Sequence, residues 1–148
     1  MATVDARMPD VEREDVKAEW LARLVELFAT LEQWAIEAGW TNRAFVKSMR
    51  DVDIGTYEAP ALLLDRNSLE VIVEPLARIV SGAHGVVSLC LLPSYDDVAV
   101  FFFRDGSWRF SLTNSNLKTV SSMQFGEATV LSRDNFHRLL GGIGENAP

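Results

Sequence analysis

The sequence predicts an α+β protein, with one long N-terminal helix packed on a mostly antiparallel β-meander and a short helix at the C-terminus. Three observations carry that expectation. Residues 10–38 contain neither Gly nor Pro and repeat their apolar side chains at helical spacing. Residues 98–112 hold two β-rich runs, VAVFFFR and SWRFSL, that meet at Asp105-Gly106, a dipeptide suited to a two-residue type I′ turn because both turn positions need φ > 0. Ser132, residues 133–140 and Gly141-Gly142 then present a cap, a short helical pattern and a stop in that order.

At 148 residues the chain has the size of a single domain, expected over residues 1–148 with 1–9 and 143–148 frayed. It is long enough to bury a core without disulfides or metal. The formal net charge is −7, and Lys17, Lys47 and Lys118 are its lysines. No basic run with interleaved aromatics offers a face for phosphates, so nucleic acid is not an expected partner. The N-terminus lacks a basic start followed by an apolar run, and no apolar stretch approaches the ~20 residues a membrane helix needs. A cytoplasmic protein with no membrane partner is expected. Its one cysteine, Cys90, lies in an apolar strand pattern as a small buried hydrophobe.

The first helix places Val16, Trp20, Leu24, Leu27, Phe28, Leu31, Trp34, Ala35 and Ala38 on one face, and Gly39 supplies its stop. Unbroken, it would reach ~40 Å at 1.5 Å per residue. Leu21 and Val25 widen the apolar arc to roughly half the circumference, beyond the ~100° stripe that packing on one sheet requires. Deep burial within the domain or a contact with a second subunit would each account for that width. The expected outcome is a homodimer held by this helix, with Trp20, Leu21 and Val25 as binding residues.

In residues 40–55, Phe45, Lys47 and Met49 alternate as a strand would, although 44–50 would also suit a short helix. The run 51–55 superficially resembles the start of a calcium loop, but its closing position falls on Leu62 rather than Glu, which excludes that reading. Strands are expected at 57–64 and 69–73 around a four-residue loop, 65–68, with Pro60 marking a sheet edge. Glu74-Pro75 should end the second strand, leaving 76–80 as a short strand or a bent continuation, followed by a turn at 81–85. Residues 86–92 read as a strand buried on both faces, and 93–97 as a tight return.

The Asp105-Gly106 turn sets the register of the hairpin that follows. Arg104 should face Ser107, Phe103 should face Trp108, Phe101 should face Phe110 and Ala99 should face Leu112. Phe101, Phe103, Trp108 and Phe110 then belong to the covered face. Phe102, Arg104 and Arg109 lie on the other side with Val100 and Ser111, as a second candidate binding surface. A loop is expected at 113–116, and a weaker strand at either 120–125 or 128–131.

Motifs for chemistry are missing. His84 and His137 do not have metal-ligand spacing with each other or with Cys90, no serine sits in a Gly-x-Ser-x-Gly elbow, and no glycine-rich phosphate loop precedes a helix. No cofactor is implied. The over-wide apolar arc, the acidic charge and the lack of catalytic motifs point to a small acidic non-enzymatic interaction domain, and the order of elements is shared with chaperone-like, inhibitor-like or immunity-like proteins. The alternative is a metal-assisted hydrolase that uses the carboxylates of Glu74, Asp96 and Asp97, with Asp65 at an earlier hairpin turn. Residues of these types are also ordinary turn formers.

Overall fold

A computed structural model describes residues 9–113 and 128–145. The elements follow one another as α1 (Asp10–Glu37), β1 (Thr41–Asp51), β2 (Gly55–Arg66), β3 (Leu69–Ala77), β4 (Val86–Leu92), β5 (Asp96–Arg104), β6 (Ser107–Leu112), β7 (Thr129–Val130) and α2 (Arg133–Glu145). The seven strands form one antiparallel sheet in sequential order, β1 to β7, so the fold is α+β and its sheet a meander. The alternative strand at 120–125 and the loop residues 114–116 lie outside the described residues.

α1 begins with Asp10 and Glu12 in its first turn, where carboxylates favour the positive end of the helix dipole. It ends in a Schellman motif. Gly39 takes φ +86°, Trp40 N–H donates to Ala35 O at 2.9 Å and Gly39 N–H to Ile36 O at 3.0 Å. That geometry turns the buried Trp40 under the helix and starts β1.

The β5–β6 register is the expected one, with pairs Arg104↔Ser107, Phe103↔Trp108, Phe101↔Phe110 and Ala99↔Leu112, and Asp105 and Gly106 at φ +54° and +77°. Burial is not uniform along it. Phe101 and Phe110 are fully buried, while Phe103 and Trp108 near the hairpin tip are half-buried. At the tip α1 supplies a charge instead of an apolar cover: the Arg23 guanidinium stands 4.1 Å from the Phe103 ring centroid.

Several strand boundaries depart from expectation. The β2–β3 connection is a two-residue turn, Asn67-Ser68, with φ +51° and +71°, because pairing extends to Arg66↔Leu69. Glu74-Pro75 does not end β3, which continues to Ala77 through a register shift between Pro75 and Ala77. An irregularity of that kind accommodates a residue with no N–H to donate. Pro60 lies inside β2 but on a locally open edge, in the half of the strand paired with β1 and not with β3. Where β2 and β3 diverge, Lys47 of β1 and Arg78, which follows β3, tie β1 to the end of β3. Lys47 Nζ donates to Pro75 O at 3.0 Å, and Arg78 Nε donates to Asp51 Oδ2 at 2.9 Å.

α2 also runs further than its sequence suggests. Gly141-Gly142 does not terminate it, and Ile143, expected in a frayed tail, is fully buried with Phe136, Leu139 and Leu140. Two glycines inside a helix cost about 1 kcal/mol each, and burying an isoleucine returns ~1.5 to 3 kcal/mol. The core lies between one face of the sheet and the two helices. Phe136 meets Phe101 edge-on at 6.3 Å and Trp34 at 6.1 Å. Polar contacts join the helices at the same place: His137 Nε2–H donates to Trp34 O at 2.8 Å, and Arg133 Nε to Glu37 at 2.7 Å.

Gly85 is required by this packing. It takes φ +136°, and a Cβ there would stand 2.7 Å from Trp20 Cζ3. Only glycine lets the 81–85 turn close over the indole.

Candidate functional site

α1 has two dissimilar sides. Toward the sheet and α2 it buries Trp20, Leu24, Leu27, Phe28, Leu31 and Ala35. Trp20 therefore belongs to the core and not to a binding surface: its Nε1–H donates to Tyr57 Oη at 2.8 Å, and 2% of its surface is exposed. Leu21 is half-buried against the same core. Much of the wide arc is thus covered within the chain, because α2 supplies a second layer once it extends to Ile143. Val25 differs, being 58% exposed.

Val25 is part of a longer pattern. Counting from Val11 in alternating steps of four and three gives Val11, Asp15, Ala18, Ala22, Val25, Ala29, Glu32 and Ile36. A 3-4 alternation keeps residues on one narrow strip of a helix, the arrangement that lets two helices pack lengthwise. All six apolar members are exposed, with Val11 at 76% and Ile36 at 52%. From Val11 to Ile36 the strip is ~37 Å long at 1.5 Å per residue. Small side chains dominate it, so a partner's backbone can approach closely.

Charge is sorted around this strip. Glu12, Glu19 and Glu26 follow its apolar members along one flank, at positions 11, 18 and 25 plus one. α1 carries eight carboxylates against three cations, five of the chain's seven surplus negative charges. Among the cations, Arg23 donates to His84 O at 3.1 Å and pairs with Glu19 of the flank at 3.3 Å, while Arg13 and Lys17 are half-buried toward the other side. Beyond the acidic flank, α1 and the β5–β6 hairpin enclose a groove of about 470 Å³ floored by Leu27, Trp34, Phe103, Trp108 and Leu131.

Compared with known protein families, characterised proteins and solved structures, the chain matches none. The site has to be read from its own chemistry.

The second candidate surface is assembled as its register requires. Arg104 stacks on Phe102 at 5.0 Å, and Arg109 is the cross-strand neighbour of Phe102. Arg109 Nη1 donates to Ala128 O at 3.5 Å. Phe102 and Arg104 border an open concavity of about 340 Å³ with Val80, Ala83 and Val86.

The carboxylates of the alternative reading are engaged separately. Glu74 pairs with Lys47 at 3.4 Å, Asp96 accepts from Ser94 Oγ at 2.8 Å, and Asp97 accepts from the Cys90 thiol at 3.4 Å. Asp65 sits at the far end of β2 opposite Thr41. Among the described residues no group of three or more His, Cys, Asp or Glu side chains is placed to hold a metal ion. Cys90 is buried, and burial together with the Asp97 carboxylate pushes its thiol up to about 11, so it is held as a thiol at neutral pH.

Sequence reasoning found Val25 but missed Val11, Ala18, Ala22, Ala29 and Ile36. The signal was present as the 3-4 spacing. It was masked because the large apolar residues of the core face dominate the same helix.

Proposed function

We propose that this protein is a small non-enzymatic interaction module of the cytoplasm that presents the outer side of α1 to another protein. The observation that carries this reading is the exposed 3-4 strip from Val11 to Ile36, on a helix whose opposite side is already committed to the core. Scattered exposed apolar residues need no explanation, but six in helix-packing phase along one strip, interrupted by Asp15 and Glu32, mark an interaction surface. No helix among the described residues is long and apolar enough to cross a membrane.

A photo-crosslinking side chain placed at Val25, and separately at Val46 on exposed β1, tests the reading in living cells. A discrete adduct is expected from Val25 and none from Val46. Identical adducts from both positions, or none from either, would refute it.

A further inference from the structure

We infer that the occupant of the α1 strip is a cationic amphipathic helix, packed lengthwise with its lysines or arginines against Glu12, Glu19 and Glu26. This inference rests on the proposal that the strip is an interaction surface and adds the chemistry of its partner. The apolar members ask for a helix, because only a partner with the same 3-4 periodicity touches all of them along ~37 Å. The polar members state its charge. Asp15 and Glu32 occupy two of the eight positions of the strip itself, one near each end, and neither makes an ion pair among the described residues. A partner that covers them with apolar side chains leaves two carboxylates desolvated, whereas one with a cation opposite each is held in a single register.

The same residues act against a second copy of this chain. In a twofold antiparallel pairing centred between Ala22 and Val25, Val11 meets Ile36 and Ala18 meets Ala29, but Asp15 meets Glu32 of the second copy, once at each end. Sliding by one heptad sets Asp15 against Val25 instead. A parallel pairing sets Asp15 against Asp15 and Glu32 against Glu32. These arrangements face carboxylate with carboxylate or bury one against an apolar residue, and the glutamates of the flank add repulsion in the antiparallel case. Nucleic acid and anionic lipid are disfavoured for the same electrostatic reason.

The test uses the full chain and two labelled synthetic four-heptad helices with leucines at the seam positions, one with lysine and one with glutamate at all flanking positions, read by fluorescence anisotropy. The lysine helix is expected to bind and the glutamate helix to bind at least ~10-fold more weakly, the difference shrinking as ionic strength rises and screening shortens. Val25→Glu should weaken the lysine helix about 10-fold or more. That variant adds negative charge, so mere electrostatic adhesion would strengthen in it, and a loss of binding separates seating on the strip from adhesion. Glu19→Lys with Glu26→Lys should reverse the preference toward the glutamate helix, while circular dichroism confirms that each variant is folded.

Equal binding of both helices, abolished by Val25→Glu, would overturn the charge assignment and leave the surface intact. Dimerisation of the chain through the strip, detected by sedimentation and lost in Val25→Glu, would have the same meaning and identify a second copy as the occupant. Failure of both helices to bind, with no dimer, would overturn the inference and the surface together.

Discussion

Replacing Arg78 by alanine tests whether the β1–β2 turn is held to the end of β3 by charge. Arg78 is 9% exposed, and its guanidinium donates to both oxygens of Asp51, at 2.9 and 3.4 Å, and to Asp53 at 2.8 Å. Burial raises the cost of the Asp51 charge, but hydrogen bonds from Arg78 and from the backbone N–H groups of Asp53 and Ile54 outweigh it and hold the carboxyl below its ordinary value. Removing the guanidinium leaves that carboxylate, whose side chain is 12% exposed, with its two backbone donors alone. Breaking a buried pair in this way costs roughly 3 to 5 kcal/mol, and the surviving backbone bonds place Arg78→Ala near 3. With a urea slope of about 2 kcal/mol per molar, the unfolding midpoint should fall by ~1.5 M with the slope unchanged. The pH dependence has a definite sign. A carboxyl whose folded pKa lies below its unfolded value stabilises the protein fully above the unfolded value, near 3.8, and loses that contribution as pH falls through the folded one. The gap between wild type and Arg78→Ala should therefore be full at pH 6 to 7 and narrow below about pH 4. A loss under ~1 kcal/mol at pH 7, the size of an exposed ion pair, would refute the reasoning.

Other outcomes can be checked on the same urea curves. Phe101→Ala should cost about 3 to 5 kcal/mol, because it empties a fully buried site that touches Phe110 and Phe136, and Phe103→Ala should cost ~1 to 2; the reverse order would contradict the burial pattern. Gly85→Ala should destabilise by more than the ~1 to 2 kcal/mol of a left-handed alanine, since its Cβ also collides with Trp20, whereas Gly39→Ala, which meets nothing closer than 3.8 Å, should cost only the backbone term. Cys90 should resist iodoacetamide at pH 8 in the folded protein and react readily in urea; rapid native labelling would show that the thiol is neither buried nor raised.

Local chemistry alone determined much of this protein. The Asp105-Gly106 turn set the β5–β6 register residue by residue, since a two-residue turn leaves one pairing, and the uninterrupted apolar period of α1 with Gly39 after it set the helix and its end. Residues 86–92 announced themselves by continuous apolarity. The tertiary structure decided what depends on compensation between distant groups. α2 passes through two glycines because Ile143 has a core to enter, and β3 passes through Pro75 because β4 pairs on either side of an irregularity. Trp20, on the apolar face, is expected from sequence to bind a second subunit, but Tyr57, 37 positions away, accepts its N–H within the core. The candidate site divides along the same line. Its 3-4 spacing was written in the sequence, but spacing does not reveal which side of a helix is left in water. That was settled only when the sheet and α2 took the large apolar side chains and left Val11, Val25 and Ile36 exposed.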